Sequence, residues 1–308
     1  MKILVTGANG FIGRHLVATL SSRGEEVVAV SRHQPTPAAR VEWRPTPDLD
    51  DGTKWGPLLG GCDAVVHLAG VAHRRVTDHD AYAAELQRVN VDATMRLYEA
   101  SRSCGVQRFI FVSSLAAVTS RSAGLVDETT PARPCNPYGR SKLAAEQALI
   151  ALNGNDGTSL TVLRPPVIYG RGNPGNMDRI FRLIRSGLPL PFGSLCNRRS
   201  FLYVGNFCDA VHKCLLAPVS VAGTYFVSDR CDLSTPELIQ LIAEASGRRA
   251  RLWPFPASLW NMVARLQPDG STAKLVGSLY VDVAPLMNVL KWSPPFTPAQ
   301  GLRATIEM

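Results

Sequence analysis

The amino-acid sequence predicts an α/β protein: a doubly wound parallel sheet with helices on both faces, followed by a smaller, interleaved C-terminal lobe. Three observations predict it. Short apolar runs alternate with helix-period stretches through the first half of the 308 residues, the pattern of strand–helix–strand crossovers. Those runs are apolar throughout, as strands covered on both faces must be. After about residue 166 proline and glycine become frequent and the alternation stops.

KILVT (2–6) is the first strand. A helix follows over 12–23, with Ile12, Leu16, Val17 and Leu20 on one face. EVVAVS (26–31) and AVVHLAG (64–70) are strands. A helix near 83–103, strand RFIFVSS (108–114), a helix over 137–152 and strand SLTVLRP (159–165) complete a first domain spanning 1–165. The lobe spans 166–308, and parts of about 200–228 are expected to return to the first domain. It reads as a helix near 177–187, a strand near 200–204, a helix near 206–217 and strand GTYFVS (223–228). STPELIQLIAEAS (234–246) opens a helix with a Ser/Thr cap, a proline in the first turn and a glutamate. PASLWNMVARL (256–266) has apolar residues at helical spacing, which core packing explains.

Composition limits the function. Hydrophobic residues make up 45% and charged residues 19%, as in a globular chain with a real core. The net charge of +8 favours an anionic partner. The basic residues are scattered, with pairs only at Arg74–Arg75, Arg198–Arg199 and Arg248–Arg249, which argues against nucleic acid. The N-terminus carries too few apolar residues for a signal peptide, and no run reaches the roughly 18–20 needed to span a membrane. Seven cysteines without a CxxC motif suit reduced thiols in a cytoplasm. His67, His73 and His79 recur every six residues, which fits no helix face; two of them read as loop residues, and no metal is expected.

VTGANGFIG sets Gly7, Gly10 and Gly13 between the first strand and the first helix. Glycines let the backbone approach a pyrophosphate, and the helix start offers unpaired N–H groups and partial positive charge. The spacing is GxxGxxG rather than the usual GxGxxG, but the strand-before, helix-after context of a Rossmann-like dinucleotide site is met. Gly7, Asn9, Gly10, Phe11, Ile12 and Gly13 are the candidate cofactor residues of this turn. The second strand ends in Ser31 and Arg32 with no carboxylate. An acidic residue there would hold the adenosine ribose, whereas a guanidinium grips a 2′-phosphate. NADP is therefore preferred over NAD.

In NPYGRSK (136–142) Asn136 is a helix cap and Pro137 the first helical residue. Tyr138 and Lys142 then share a face at i, i+4. A nearby ammonium lowers a phenol's pKa from about 10, which fits Tyr138 for proton transfer. Lys142 is also placed to hydrogen-bond a cofactor ribose.

With TGANGFIG, VVHLAG, RVNVDAT, FVSS, PYGRSK, LRPPVIYG, RRSFLYVGN and VLKWSPP in order, the sequence resembles the extended short-chain dehydrogenase/reductase family, in its nucleotide-sugar epimerase/dehydratase/reductase branch. The resemblance covers nearly the whole chain. It implies Tyr138 as acid/base, Lys142 as its activator, and Ser113 or Ser114 as the hydroxyl beside the reacting oxygen; Ser114 is preferred. It further implies Leu68, Ala69 and Gly70 as a loop flanking the cofactor, Asn90 as a bridge between strands, and Pro165 and Val167 beside the nicotinamide. Asn176 and Arg199 would hold a nucleotide diphosphate. The second late arginine common in the family has only Lys274 in its place. A homodimer is compatible with the family.

The resemblance also implies a reaction at C4 of a UDP-linked hexose. GLPLPFGSLCNRRSFLYVGN resembles a subgroup that makes UDP-linked N-acetylated or 6-deoxy sugars for bacterial surface polysaccharides. Dehydration needs acids just after the catalytic hydroxyl residue, where this chain has Leu115 and Ala116. Ser31–Arg32 favours a 4-keto-sugar reductase using NADPH over a 4-epimerase, which keeps NAD bound. An NADP-dependent reductase of an apolar ketone is the further alternative. A non-enzymatic NADP sensor is disfavoured because both Tyr138 and Lys142 are kept.

Overall fold

The computed structural model describes the chain except residues 34–38, 47–48, 50–52, 72–77, 155–156, 174–179, 181, 185, 219–220, 257–258, 261–274 and 307–308. The chain opens with β1 (Lys2–Thr6), α1 (Phe11–Ser22), β2 (Glu26–Ser31), β3 (Val41–Pro45), α2 (Trp55–Leu59) and β4 (Ala64–His67). Next come α3 (His79–Leu86), a π turn (Gln87–Asp92) and α4 (Ala93–Ser103), then β5 (Arg108–Val112), a 3₁₀ turn (Leu115–Ala117), β6 (Leu125–Val126), α5 (Pro137–Leu152) and β7 (Ser159–Arg164). The remainder supplies β8 (Val167–Tyr169), β9 (Phe201–Tyr203), α6 (Val204–Leu216), β10 (Gly223–Phe226), α7 (Thr235–Ala245), β11 (Tyr280–Val281), α8 (Ala284–Leu290) and α9 (Pro298–Ile306).

Seven strands form one parallel sheet in the order β10–β7–β5–β4–β1–β2–β3. Strand alternation buries both faces of this sheet. Ile3 and Val5 face one side with Leu16, Leu20, Phe207 and Val211 of α1 and α6. Leu4 faces the other with Val65, Leu97, Phe109, Phe111 and Leu149, under α4 and α5. The chain winds outward from β1 in both directions, so a crevice opens past the carboxyl ends of β1 and β4, where such sheets bind ligands. A third apolar cluster joins α7 and α9 through Leu238, Ile242, Phe201 and Leu302.

The sheet and its helices match the expected doubly wound architecture. Strand 223–226 pairs with β7, so the late chain supplies the sheet's outer strand. The expected helix at 83–103 is divided by a π turn at 87–92, and the strands from 64 and 108 end at His67 and Val112. VEWRP was not expected as a strand: it lies at the sheet edge with every residue at least partly exposed, which blurs the apolar signal. The expected helix near 177–187 is helical at its described positions 180 and 182–184, whereas that near 256–266 falls mostly outside the described residues, as do His73, Arg74, Arg75, Asn176 and Lys274. Among the described residues no helix is long and apolar enough to cross a membrane and no side-chain group could hold a metal ion. All seven cysteines are free.

Candidate active site

The glycine turn closes tightly on itself and on the loop after β4. Gly7 has φ 67°, and a side chain there would put its Cβ 2.9 Å from the Ala69 amide nitrogen. At Gly13 a Cβ would lie 2.1 Å from the Gly7 carbonyl oxygen. Gly10 caps α1 without a side chain, and the first turn of α1 has no acidic residue. Its leading N–H groups therefore face the crevice without an intrahelical acceptor. This cradle, built from backbone and from space that a Cβ would fill, fits a dinucleotide pyrophosphate. Asn9 is occupied otherwise: its amide donates to the His33 carbonyl oxygen, tying the turn to the end of β2.

Loop 68–71 forms the facing wall. Asn90, in the π turn, accepts from the Val71 N–H at 2.7 Å and donates to the Val71 carbonyl and to Ser141 Oγ, both at 3.0 Å. It thereby fastens the loop to α5. Such π turns recur at functional sites because they re-aim backbone groups. Gly70 leaves room for this contact, since a Cβ there would sit 2.8 Å from Asn90 Oδ1.

Helix α5 starts where the sequence predicts. Asn136 Oδ1 accepts from the Gly139 N–H at 2.8 Å, and Pro137 is the first helical residue. A Cβ on Gly139 would lie 2.2 Å from the Ala116 carbonyl oxygen, so the first turn of α5 packs directly on the 3₁₀ turn. That contact brings Tyr138 beside Ser114, near enough for the serine hydroxyl to act on the phenol. Lys142 follows one turn later, buried, with Nζ donating to the Val112 carbonyl at 3.0 Å and lying 4.7 Å from the Phe111 ring centre. Glu146, a further turn on, forms a bidentate pair with Arg164 and pins α5 to β7. Phe11, Ile12, Leu68, Gly70, Ser113, Ser114, Tyr138, Lys142 and Pro165 line one cavity of about 280 Å³.

The electrostatics depart from the simple Tyr–Lys expectation. Burial pushes the Tyr138 phenol up to about 12, against the lowering effect of the Ser114 hydroxyl. Lys142 is not among the groups acting on that phenol; burial pulls its own ammonium down to about 8, opposed by Glu146. Nucleotide-free protein therefore holds Tyr138 as a neutral phenol at pH 8. Difference absorbance between the wild type and Tyr138→Phe should show no phenolate there; a phenolate band at that pH would contradict the structure.

Other candidates are spread more widely. Ser31 is buried and spends its hydroxyl on the His33 carbonyl and the Trp43 indole N–H. Arg32 is exposed beside it. Val167 is 49% exposed, and Pro166 and Ile168 take the place in the cavity wall that sequence reasoning gave it. Arg199 lies outside the 280 Å³ cavity: it is buried, donates to the Gly277 carbonyl at 2.9 Å, and burial pulls it down to about 10. Sequence reasoning weighed Ser113 against Ser114 and preferred Ser114; the buried Oγ of Ser113 has no hydrogen-bond partner among the described residues and lies in the same cavity wall. A larger cavity of about 350 Å³, whose lining includes Leu125, Arg198, Arg230, Asp232, Asp282 and Met287, shares no residue with this one and has neither the tyrosine nor the lysine of the first.

The wound sheet, the glycine cradle and the Ser–Tyr–Lys group define an enzyme of the short-chain dehydrogenase/reductase type. The chain belongs to the NAD dependent epimerase/dehydratase family, which its residues 3–227 match. It is 31% identical over 315 residues to the UDP-glucose 4-epimerase of Vibrio cholerae, covering 99% of this chain and 94% of that one. It is 30% identical over 263 residues to a 3-beta-hydroxysteroid dehydrogenase of Mycolicibacterium neoaurum, covering 80% and 71%. Among solved structures it is similar to MoeE5 in complex with UDP-glucuronic acid and NAD, with a TM-score of 0.79, 28% identity and coverage of 100% and 98%.

Proposed function

We propose that the protein is a 4-epimerase of a UDP-linked hexose, with NAD as its bound cofactor. The observation that carries this reading is the convergence of Ser114, Tyr138 and Lys142 on one cavity beside the glycine cradle. The UDP-glucose 4-epimerase that matches almost end to end supports the substrate class. The reductase favoured by Ser31–Arg32 has no comparable support. Neither Leu115, buried at 3% exposure, nor Ala116 carries an acid, which disfavours dehydration.

The turn at Gly7–Gly13 would hold the pyrophosphate, and Leu68, Gly70, Pro165 and Ile168 would flank the nicotinamide. When bound, the nicotinamide supplies a hydride acceptor and donor. Tyr138 removes the proton from the C4 hydroxyl oxygen and later returns it. Ser114 hydrogen-bonds that same oxygen as its charge develops. Lys142 orients the ribose and sets the local charge. Ser113 Oγ is a free hydrogen-bonding group in the same wall. Arg199 is the candidate diphosphate partner; its burial without a carboxylate among the described residues leaves a cation for an anionic ligand to neutralise.

Incubating the purified protein with UDP-glucose, UDP-N-acetylglucosamine and UDP-glucuronic acid, without added nucleotide, tests the reading. Conversion to the C4 epimers is expected. Turnover that consumes NADPH stoichiometrically, with no epimer formed, would establish the reductase instead. Arg32 favours that second reading, because an exposed guanidinium at the end of β2 suits a 2′-phosphate. Arg32→Ala in nucleotide-free protein should weaken NADPH roughly 10-fold and NADH hardly at all, the scale of one charge-assisted contact. Equal losses for the two, measured by fluorescence titration, would remove Arg32 from phosphate recognition.

A further inference from the structure

The least accessible titratable group near the site has no place in the chemistry above. His67 ends β4 with no exposed surface, one residue before Leu68 of the cavity wall. Its two ring nitrogens reach opposite sides of the site: Nδ1 lies 2.7 Å from Thr6 Oγ1 at the end of β1, and Nε2 lies 2.9 Å from Thr94 Oγ1 at the start of α4.

The proton inventory has one consistent solution. Thr94 has a single hydroxyl proton and donates it to the Asn90 carbonyl at 2.8 Å. It must therefore accept from His67, which puts the ring proton on Nε2. Nδ1 is then the acceptor, and Thr6 donates to it. That frees the lone pairs of Thr6 Oγ1 for the Ala69 N–H at 3.2 Å. Every donor in the chain has an acceptor, and the chain requires a neutral ring. Burial and the nearby Lys142 push His67 down to about 3, so the ring remains neutral at any working pH. The ring also stacks on Phe111, centroids 5.9 Å apart, and Phe111 carries the Lys142 ammonium on its π system.

We propose that His67 is a positioning residue of this site: through Thr6 and Ala69 on one side and Thr94 and Asn90 on the other, it fixes loop 68–71 and helix α5 relative to the glycine turn. The inference rests on the reading that this turn binds a dinucleotide, and it adds a part that motif reasoning placed only in a strand. Gly7 packs on Ala69 with no room for a Cβ, Asn90 holds both Val71 and Ser141, and Ser141 precedes Lys142. A lapse at His67 would therefore reach both the cofactor wall and the Lys142 register.

The test compares His67→Phe, His67→Gln and Thr94→Val with the wild type, using NADH affinity by fluorescence titration and the split between kcat and KM. A glutamine offers one acceptor and one donor, as the neutral imidazole does; a phenylalanine offers neither. His67→Phe should weaken NADH about 10-fold or more, the scale of leaving buried hydroxyl partners unpaired, and His67→Gln should recover to within about 3-fold. A merely structural role would lower the unfolding temperature of both variants and leave the affinity of the folded fraction unchanged. Wild-type affinity in His67→Phe, or a His67→Gln no better than His67→Phe, overturns the proposal. If His67→Phe does not fold, Thr94→Val carries the test: roughly 3- to 10-fold weaker NADH is expected, and unchanged affinity overturns it. Wild-type protein that binds NADH but interconverts no UDP-hexose would sink the epimerase reading and leave these affinity arms intact; protein that binds no dinucleotide would end both.

Discussion

Tyr138→Phe folds and binds nucleotide like the parent chain but turns over about 10²- to 10⁴-fold more slowly, the scale of losing a general acid–base. The variant removes one oxygen from a ring that is already in place. The first turn of α5 is fixed by the Asn136 cap and by Gly139 on Ala116, neither of which involves the phenol. Ser114 keeps the bond it accepts from the Ala116 N–H, so its wall stays ordered. Lys142 remains on the Val112 carbonyl. The loss should appear in kcat, with nucleotide affinity changed little. A variant that turns over within a few-fold of the wild type would exclude Tyr138 from proton transfer, whatever its neighbours do.

Gly13→Ala should abolish nucleotide binding, with an affinity loss of about 100-fold or more or outright failure to fold. The new methyl would lie 2.1 Å from the Gly7 carbonyl and 2.8 Å from the Ala8 Cα, and both obstacles are backbone. No rotamer relieves such a clash, so the turn must open, and with it the wall against Ala69; overpacking of this kind costs about 1–3 kcal/mol or more. Gly124→Ala is the matched control, since a Cβ there meets nothing within 4 Å. Thermal unfolding and NADH titration of the pair decide the matter: a Gly13→Ala protein that matches the control in both would show that this turn does not need its glycine.

Much of this arrangement is legible in the residues, for identifiable reasons. The strands at 2–6 and 26–31 and the helix at 137–152 have the expected bounds because each carries its own signal: an unbroken apolar run, or a cap with proline at the first turn. Glycines 7, 10 and 13 mark a turn whose function follows from backbone geometry alone. What escaped depends on tertiary placement. VEWRP reads as polar because its sheet edge is open. Val167 and Ile168 differ by one residue of strand register, which sequence cannot fix for a three-residue strand. The i, i+4 spacing put Tyr138 and Lys142 on one face, but it could not show that Lys142 turns to the Val112 carbonyl or that burial, rather than Lys142, would govern the phenol. His67 belonged to a histidine spacing with no helical meaning, because its partners lie 61 and 27 residues away.

The outer position of β10 bears on how the chain emerges from the ribosome. β7 is complete at Arg164, but the strand that covers its free edge ends at Phe226. A nascent chain paused between those points presents the uncovered backbone of LTVL, residues 160–163, to any neighbouring strand. Synthesis of the intervening stretch is thus a window in which a chaperone, or the ribosome surface itself, must shield that edge.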